Sequence, residues 1–254
     1  MKLSKKLIPA IGMLMLSAVM LVTSSFAWFS MNDKVVATGM KVTAVSEEVY
    51  LQIAVKPGTG SGFIDGLDQT TANVNMQSAA EIKPVSIKGF SSTSSTINWI
   101  TNYSTDKNQS TAAGTDIPVS TSDLTSYVLK QDFEVRLSPT AGATVAGGPL
   151  RATSVVLSAN ESELAHAVSV LIVSGNNAQW FKQNEDGTAW TNEGDVLSSD
   201  PFTSVDGAPT TVSVYVFFDG AHQDCTSQNL LDAATANEYS VTVNFTVAKL
   251  ASQN

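Results

Sequence analysis

Apolar and polar residues alternate with a period of two through most of this chain. In residues 48–56, Val49, Leu51, Ile53 and Val55 fall on one side, and Pro57-Gly58 ends the run. Phe133, Val135 and Leu137 alternate with Glu134 and Arg136 until Ser138-Pro139 stops them. Residues 152–158, 167–173, 211–218 and 239–247 are further β-branched runs. In the last of these, Val241, Val243, Phe245 and Val247 face one way, with Thr242, Asn244 and Thr246 opposite. A strand with one buried face requires this alternation. Turn formers separate the runs: Gly58-Thr59-Gly60-Ser61-Gly62, Asp65-Gly66, Gly147-Gly148-Pro149, Asp186-Gly187 and Asp206-Gly207. Helical periodicity is sparse, with room for one short turn in residues 158–166 and two turns in residues 227–237. The expected fold is all-β: one antiparallel β-sandwich or jelly roll of about nine to eleven strands over residues 46–254. Residues 90–122 are rich in Ser, Thr, Asn and Gly, which predicts a polar surface insertion carrying one hairpin.

The first residues break this pattern. Met1 to Lys6 carry three lysines and no acid, and residues 7–22 hold Ser17 as their one polar residue. Small residues then lead to Phe26-Ala27. Positive, apolar and small-residue regions in that order form a secretory signal peptide, with Ser25 and Ala27 at the −3 and −1 positions. Cleavage between Ala27 and Trp28 would remove residues 1–27. An uncleaved helix over residues 7–29 could anchor the chain in a bilayer instead. The expected location is therefore outside the cell, with membrane contact only through the signal peptide.

Composition sharpens this picture. The chain has 254 residues, of which 15% are charged, and I-, V- and T-rich strands are accompanied by 31 Ser and 26 Thr. Loss of the three N-terminal lysines leaves 11 basic against 23 acidic residues, a net charge of −12. That balance argues against a nucleic-acid footprint, which needs a basic patch. One Cys excludes an intrachain disulfide and any multi-cysteine metal site.

Candidate chemistry is correspondingly thin, and neither a cofactor nor a metal site is expected. His166 precedes an apolar run and reads as a packed or edge histidine. His222 stands near Asp219, Asp224 and the single Cys225, which allows a nucleophile cluster or a weak metal site beside the plainer reading of a polar loop after a strand. Trp99, Trp180 and Trp190 could form a sugar-binding platform or be buried separately. No G-x-S-x-G elbow, H-E-x-x-H helix or phosphate loop is present.

The junction itself carries a more specific signal. Phe26-Ala27-Trp28-Phe29-Ser30-Met31-Asn32-Asp33-Lys34 places two aromatics directly after the cleavage point, then a polar step and a strand-like run from Val35 to Ala44. This resembles the TasA/camelysin family of secreted proteins from Gram-positive bacteria, which a dedicated signal peptidase matures. The close of the chain, with Asp219-Gly220 and Asp224-Cys225 between two strands, is similar to related surface proteins. The resemblance implies a jelly-roll subunit of an extracellular matrix fibre, a homo-oligomer whose N-terminal strand is added to the next subunit. Residues 28–45 would be that donor segment, with Trp28, Phe29, Val35, Val36, Met40 and Val42 as its anchors. Exposed aromatics at a mature N-terminus give the same idea a physical basis, because burying them in a neighbour stabilises association. Camelysin has been described as a metallopeptidase, but no metal-ligand spacing here carries that activity over. The rival expectations are a monomeric surface adhesin using residues 90–122, and a secreted peptidase centred on His222, Asp224 and Cys225.

Overall fold

The computed structural model describes residues 35–36, 40–46, 51–59, 61–64, 69–76, 81–101, 117–138, 146–159, 162–198, 201–204, 208–226, 228–230 and 239–249. Among them the chain is an all-β sandwich. The strands are β1 (Val35–Val36), β2 (Met40–Ser46), β3 (Leu51–Val55), β4 (Thr71–Met76), β5 (Glu81–Ile82), β6 (Ser86–Ile87), β7 (Trp99–Thr101) and β8 (Ile117–Pro118). The second half supplies β9 (Leu129–Leu137), β10 (Ala146–Ala159), β11 (Val168–Ser174), β12 (Asn177–Gln183), β13 (Trp190–Glu193), β14 (Thr210–Phe218) and β15 (Tyr239–Lys249).

Two sheets face each other. One has four strands in the order β10-β15-β2-β4, the other six in the order β13-β12-β11-β14-β9-β3. These ten strands are within the number that the alternation predicts. Their inward residues make one core: Val42 and Ala44 from β2 and Val241, Val243 and Phe245 from β15 meet Ile53, Phe133, Val135, Val170, Ile172 and Val214 from the larger sheet. Alternation is the cause, since each inward residue is buried while its sequence neighbours point away.

The larger sheet is covered on its outer face as well. β6, β7 and β8 form a three-stranded sheet, whose Ile87 and Trp99 pack on Leu171, Trp180 and Phe217 in a second core. Trp99 meets Phe217 edge-on, with ring centroids 5.1 Å apart. The expected polar insertion does contain a hairpin, β7 with β8. Its described part is a lid with Trp99 and Ile100 buried, and residues 102–116 lie outside the description. Beside this lid, the loop after β3 folds over β9. Gly62 N–H donates to Glu134 Oε2 at 2.9 Å, and Phe63 lies 4.0 Å beneath the Arg136 guanidinium. Glu134 and Arg136, expected outside, are thus buried. Gly62 is required here, because a Cβ would stand 2.0 Å from the Val55 carbonyl oxygen.

Other expectations changed in detail. Gly147-Gly148-Pro149 lies within β10, where the register shifts between Ala146 and Leu150, in place of a turn. Pro149 is tolerated because β10 is an edge strand. The short turn expected in residues 158–166 is a 3-10 turn at Glu163–Ala167. Residues 228–230 are helical, and the rest of that expected helix lies outside the description. Among the described residues every ladder between strands is antiparallel except one: β2 runs parallel to β15.

Candidate functional site

The expected cleavage point and its aromatics, Ala27, Trp28 and Phe29, lie outside the described residues. The remaining candidate anchors fall on two strands. Val35 and Val36 form β1, which pairs with Ile82 and Glu81 of β5. Met40 and Val42 belong to β2, in register with Met76 and Val74 of β4. On its other side β2 meets β15, with Val42 opposite Val241 and Ala44 opposite Val243. In the single chain, then, β2 occupies the interior of its own sheet.

Local sequence explains how β2 fits there. Val42 and Ala44 are 1% and 0% exposed in the core, while Lys41 and Thr43 face outward. Thr43 Oγ1 donates to Asn73 Oδ1 at 2.7 Å across the β4 ladder. The outward row continues as Thr242, Asn244 and Thr246, and Asn244 Nδ2 donates to Ser154 Oγ at 2.8 Å. Ser46 N–H donates to Thr70 O at 2.9 Å, where the sheet ends. β2 is the first strand of the sandwich, and residues 47–50 carry the chain from it to β3 in the opposite sheet. No later segment of chain need be threaded for β2 to leave.

The acidic step after β14 has a different role. Asp219 Oδ1 accepts from Ser86 Oγ at 2.7 Å and from Ala221 N–H at 3.0 Å. Val85 N–H donates to Phe218 O at 3.0 Å alongside, so this corner clamps the lid to the larger sheet. Burial holds the Asp219 carboxyl above the usual carboxylate range, against the lowering effect of its hydrogen bonds.

His222, Asp224 and Cys225 do not converge. His222 Nε2 donates to Asn184 O at 3.2 Å, and its Nδ1 accepts from Asp224 N–H at 3.2 Å. The Asp224 carboxylate turns the other way and accepts from His166 Nδ1 at 2.8 Å. Cys225 is fully buried in the main core, and burial pushes its thiol far above the ordinary range. A thiol held protonated and sealed from solvent is a packing residue. No group of three or more His, Cys, Asp or Glu among the described residues is placed to hold a metal ion.

Trp190 is separated from Trp99 and Trp180. Trp99 and Trp180 lie in the outer core, with Phe90 beside Trp180 at 5.7 Å. Trp190 packs at the border of the main core and helps line a cleft of about 520 Å³ beside His166. Sequence reading singled out neither the His166–Asp224 bond nor the cleft residues Ser162 and Gln183. His166 left a trace there as a polar residue ahead of an apolar run, and Asp224 as one of several polar residues after β14.

No family model matches the chain, and no curated protein or solved structure is significantly similar to it. The fold therefore defines the class, an all-β sandwich whose first strand is inserted beside its last.

Proposed function

We propose that this chain is a secreted structural protein that self-assembles into extracellular or biofilm-matrix fibres by passing its N-terminal strand to the next copy. The observation that supports this reading is the position of β2. It is terminal in the sandwich, yet central in its sheet, with ladder partners on both sides. If β2 leaves, β15 and β4 border an empty slot into which the same strand of another copy fits. The exchanged strand would recover the same ladder and bury the same Val42 and Ala44, so exchange sacrifices no contact in the sandwich. Donor and acceptor are different surfaces, so the contact repeats along a filament without closing. The resemblance of residues 26–44 to secreted fibre proteins supports the same reading. Copies at −12 repel one another, so added salt eases assembly.

The test compares chains that begin at Trp28 and at Ser46 by electron microscopy. Fibres should form from the first and be absent from the second. A peptide of residues 35–46 should bind the shorter chain and raise its melting temperature. Equal fibre formation by both chains would contradict strand exchange.

A further inference from the structure

The cleft beside His166 lies at the open side of the sandwich, between the edge strands β10 and β13. Its apolar walls are Leu157 and Ala159 on β10 and Trp190 on β13. The 3-10 turn Glu163–Ala167 crosses between them and brings Ser162, Glu163 and His166 to the same space. Gln183 of β12 completes it. A volume of about 520 Å³ is within the range of small-ligand sites.

The polar groups of this cleft are held in place and left partly unused. His166 is fixed from two directions. Its Nδ1–H is given to the buried Asp224 carboxylate at 2.8 Å. Gly187, with φ of +66°, lies so close that a Cβ there would stand 2.0 Å from the imidazole Cδ2. In the neutral imidazole such a bond fixes the tautomer and leaves Nε2 as an acceptor. Gln183 is anchored by its Nε2–H, which donates to Ala165 O at 2.6 Å, so its Oε1 remains for a ligand. Ser162 precedes the 3-10 turn in extended conformation, but its hydroxyl caps no amide. That buried hydroxyl has no hydrogen-bond partner, an unfavourable arrangement unless something supplies one.

Ligand class follows from these chemistries. Among the described residues the lining contains an indole, two fixed acceptors and one unused hydroxyl, with Glu163 as its single formal charge and no Lys or Arg. Without a cation the cleft disfavours anions. Acceptors beside an aromatic face suit a ring that carries several hydroxyl donors on one side and C–H groups on the other. From this we infer that the cleft binds one uncharged sugar unit of a glycan, with the ring against Trp190 and its hydroxyls shared among Ser162, His166 and Gln183. The site uses no residue of β2, so it functions whether or not the strand is exchanged.

The experiment is calorimetric titration of the chain from Trp28 with glucose, galactose, mannose and N-acetylglucosamine, each also as its disaccharide. Lysine methyl ester serves as a cationic probe. At least one sugar should saturate at a single site with a Kd on the order of 1 mM, typical of a small polar ligand. Trp190→Ala should weaken it ~10-fold or more, and Ser162→Ala several-fold, with the melting temperature of the Ser162 variant unchanged or raised. Absence of saturation by every sugar would overturn the inference. So would sugar binding that both substitutions leave intact, or saturation by the amine in place of the sugars.

Discussion

In the six-stranded sheet, β11 is joined to β12 by a two-residue turn and lies against β14 on its other side. In the four-stranded sheet, the centre is made by β15 and β2, which come from opposite ends of the sandwich. The central strand of the first sheet, β11, is buried on both faces, by the facing sheet and by the lid of β6, β7 and β8. The second shows its outer face to solvent through Lys41, Thr43 and Asn73. One sheet is thus a scaffold built from neighbouring strands and sealed on two sides at its centre. The other contains a strand whose attachment depends on ladder bonds and one buried face. Local opening follows the number of contacts that must break together, so β2 should open before β11 or β14.

The difference can be broken from the scaffold side with the largest effect. Phe133→Ala removes a fully buried ring between the sheets and should lower stability by ~3–5 kcal/mol in urea unfolding. Fibres should disappear with the fold. Val42→Ala on β2 should cost ~2 kcal/mol and leave the larger sheet formed. Native-state hydrogen exchange should then show faster exchange at residues 41–45, with protection at residues 212–217 little changed. Equal acceleration in both would mean that the two sheets open as one unit.

Asp219 sharpens the scaffold's account through pH. Its folded carboxyl titrates above its unfolded value, so the native state holds more proton there between the two values. Its contribution is therefore full below the usual carboxylate range and lost as pH rises through the raised value. Asp219→Asn keeps an acceptor for Ser86 and Ala221 and removes the titration. Relative to the parent, this variant should gain stability as pH rises through that window, by at most ~1.4 kcal/mol per pH unit. A stability difference that is flat with pH, measured by urea unfolding from pH 4 to pH 8, would show that the carboxyl does not titrate there. The smallest effect is expected at Thr43→Ala, which removes a solvent-facing hydrogen bond to Asn73 and should cost less than ~1 kcal/mol.

Strands with an apolar residue at every second position were legible in the sequence. β3, β9, β14 and β15 follow the alternation because one side of each repeat is consistently apolar. β12 escaped it, since Ala178 and Trp180 are buried in the outer core while Gln179 and Phe181 face inward. Gln179 is polar for a local reason: its amide bonds Ala152 N–H at 2.7 Å and Ala152 O at 3.1 Å, closing part of the β10 edge. The turn before β12 needs only Gly175, with φ of +56°, and Asn176. Short β4 offers the core Ala72, buried, and Val74, partly buried, too little apolar area to stand out.

The site was less legible than the fold. That Val35–Val36 and Met40–Ser46 form strand was readable, but periodicity does not encode partners, so the parallel pairing of β2 with β15 was not. The His166–Asp224 bond joins residues far apart in sequence, and neither residue announces the other. Cys225 looked reactive beside Asp219 and Asp224 in sequence, whereas its burial depends on strands that close over it.

Strand exchange makes one demand that no other arrangement shares: in fibres, β2 must pair with a β4 from another copy. Thr43 and Asn73 side chains already meet across that ladder, so Thr43→Cys/Asn73→Cys can trap it by oxidation. The measurement is denaturing gel electrophoresis of the oxidised fibres without reductant. Covalent ladders of two, three and more chains, collapsing to one chain on reduction, are the predicted result. Full disulfide formation with every chain running as a monomer would place β2 in its own subunit and contradict the proposed assembly.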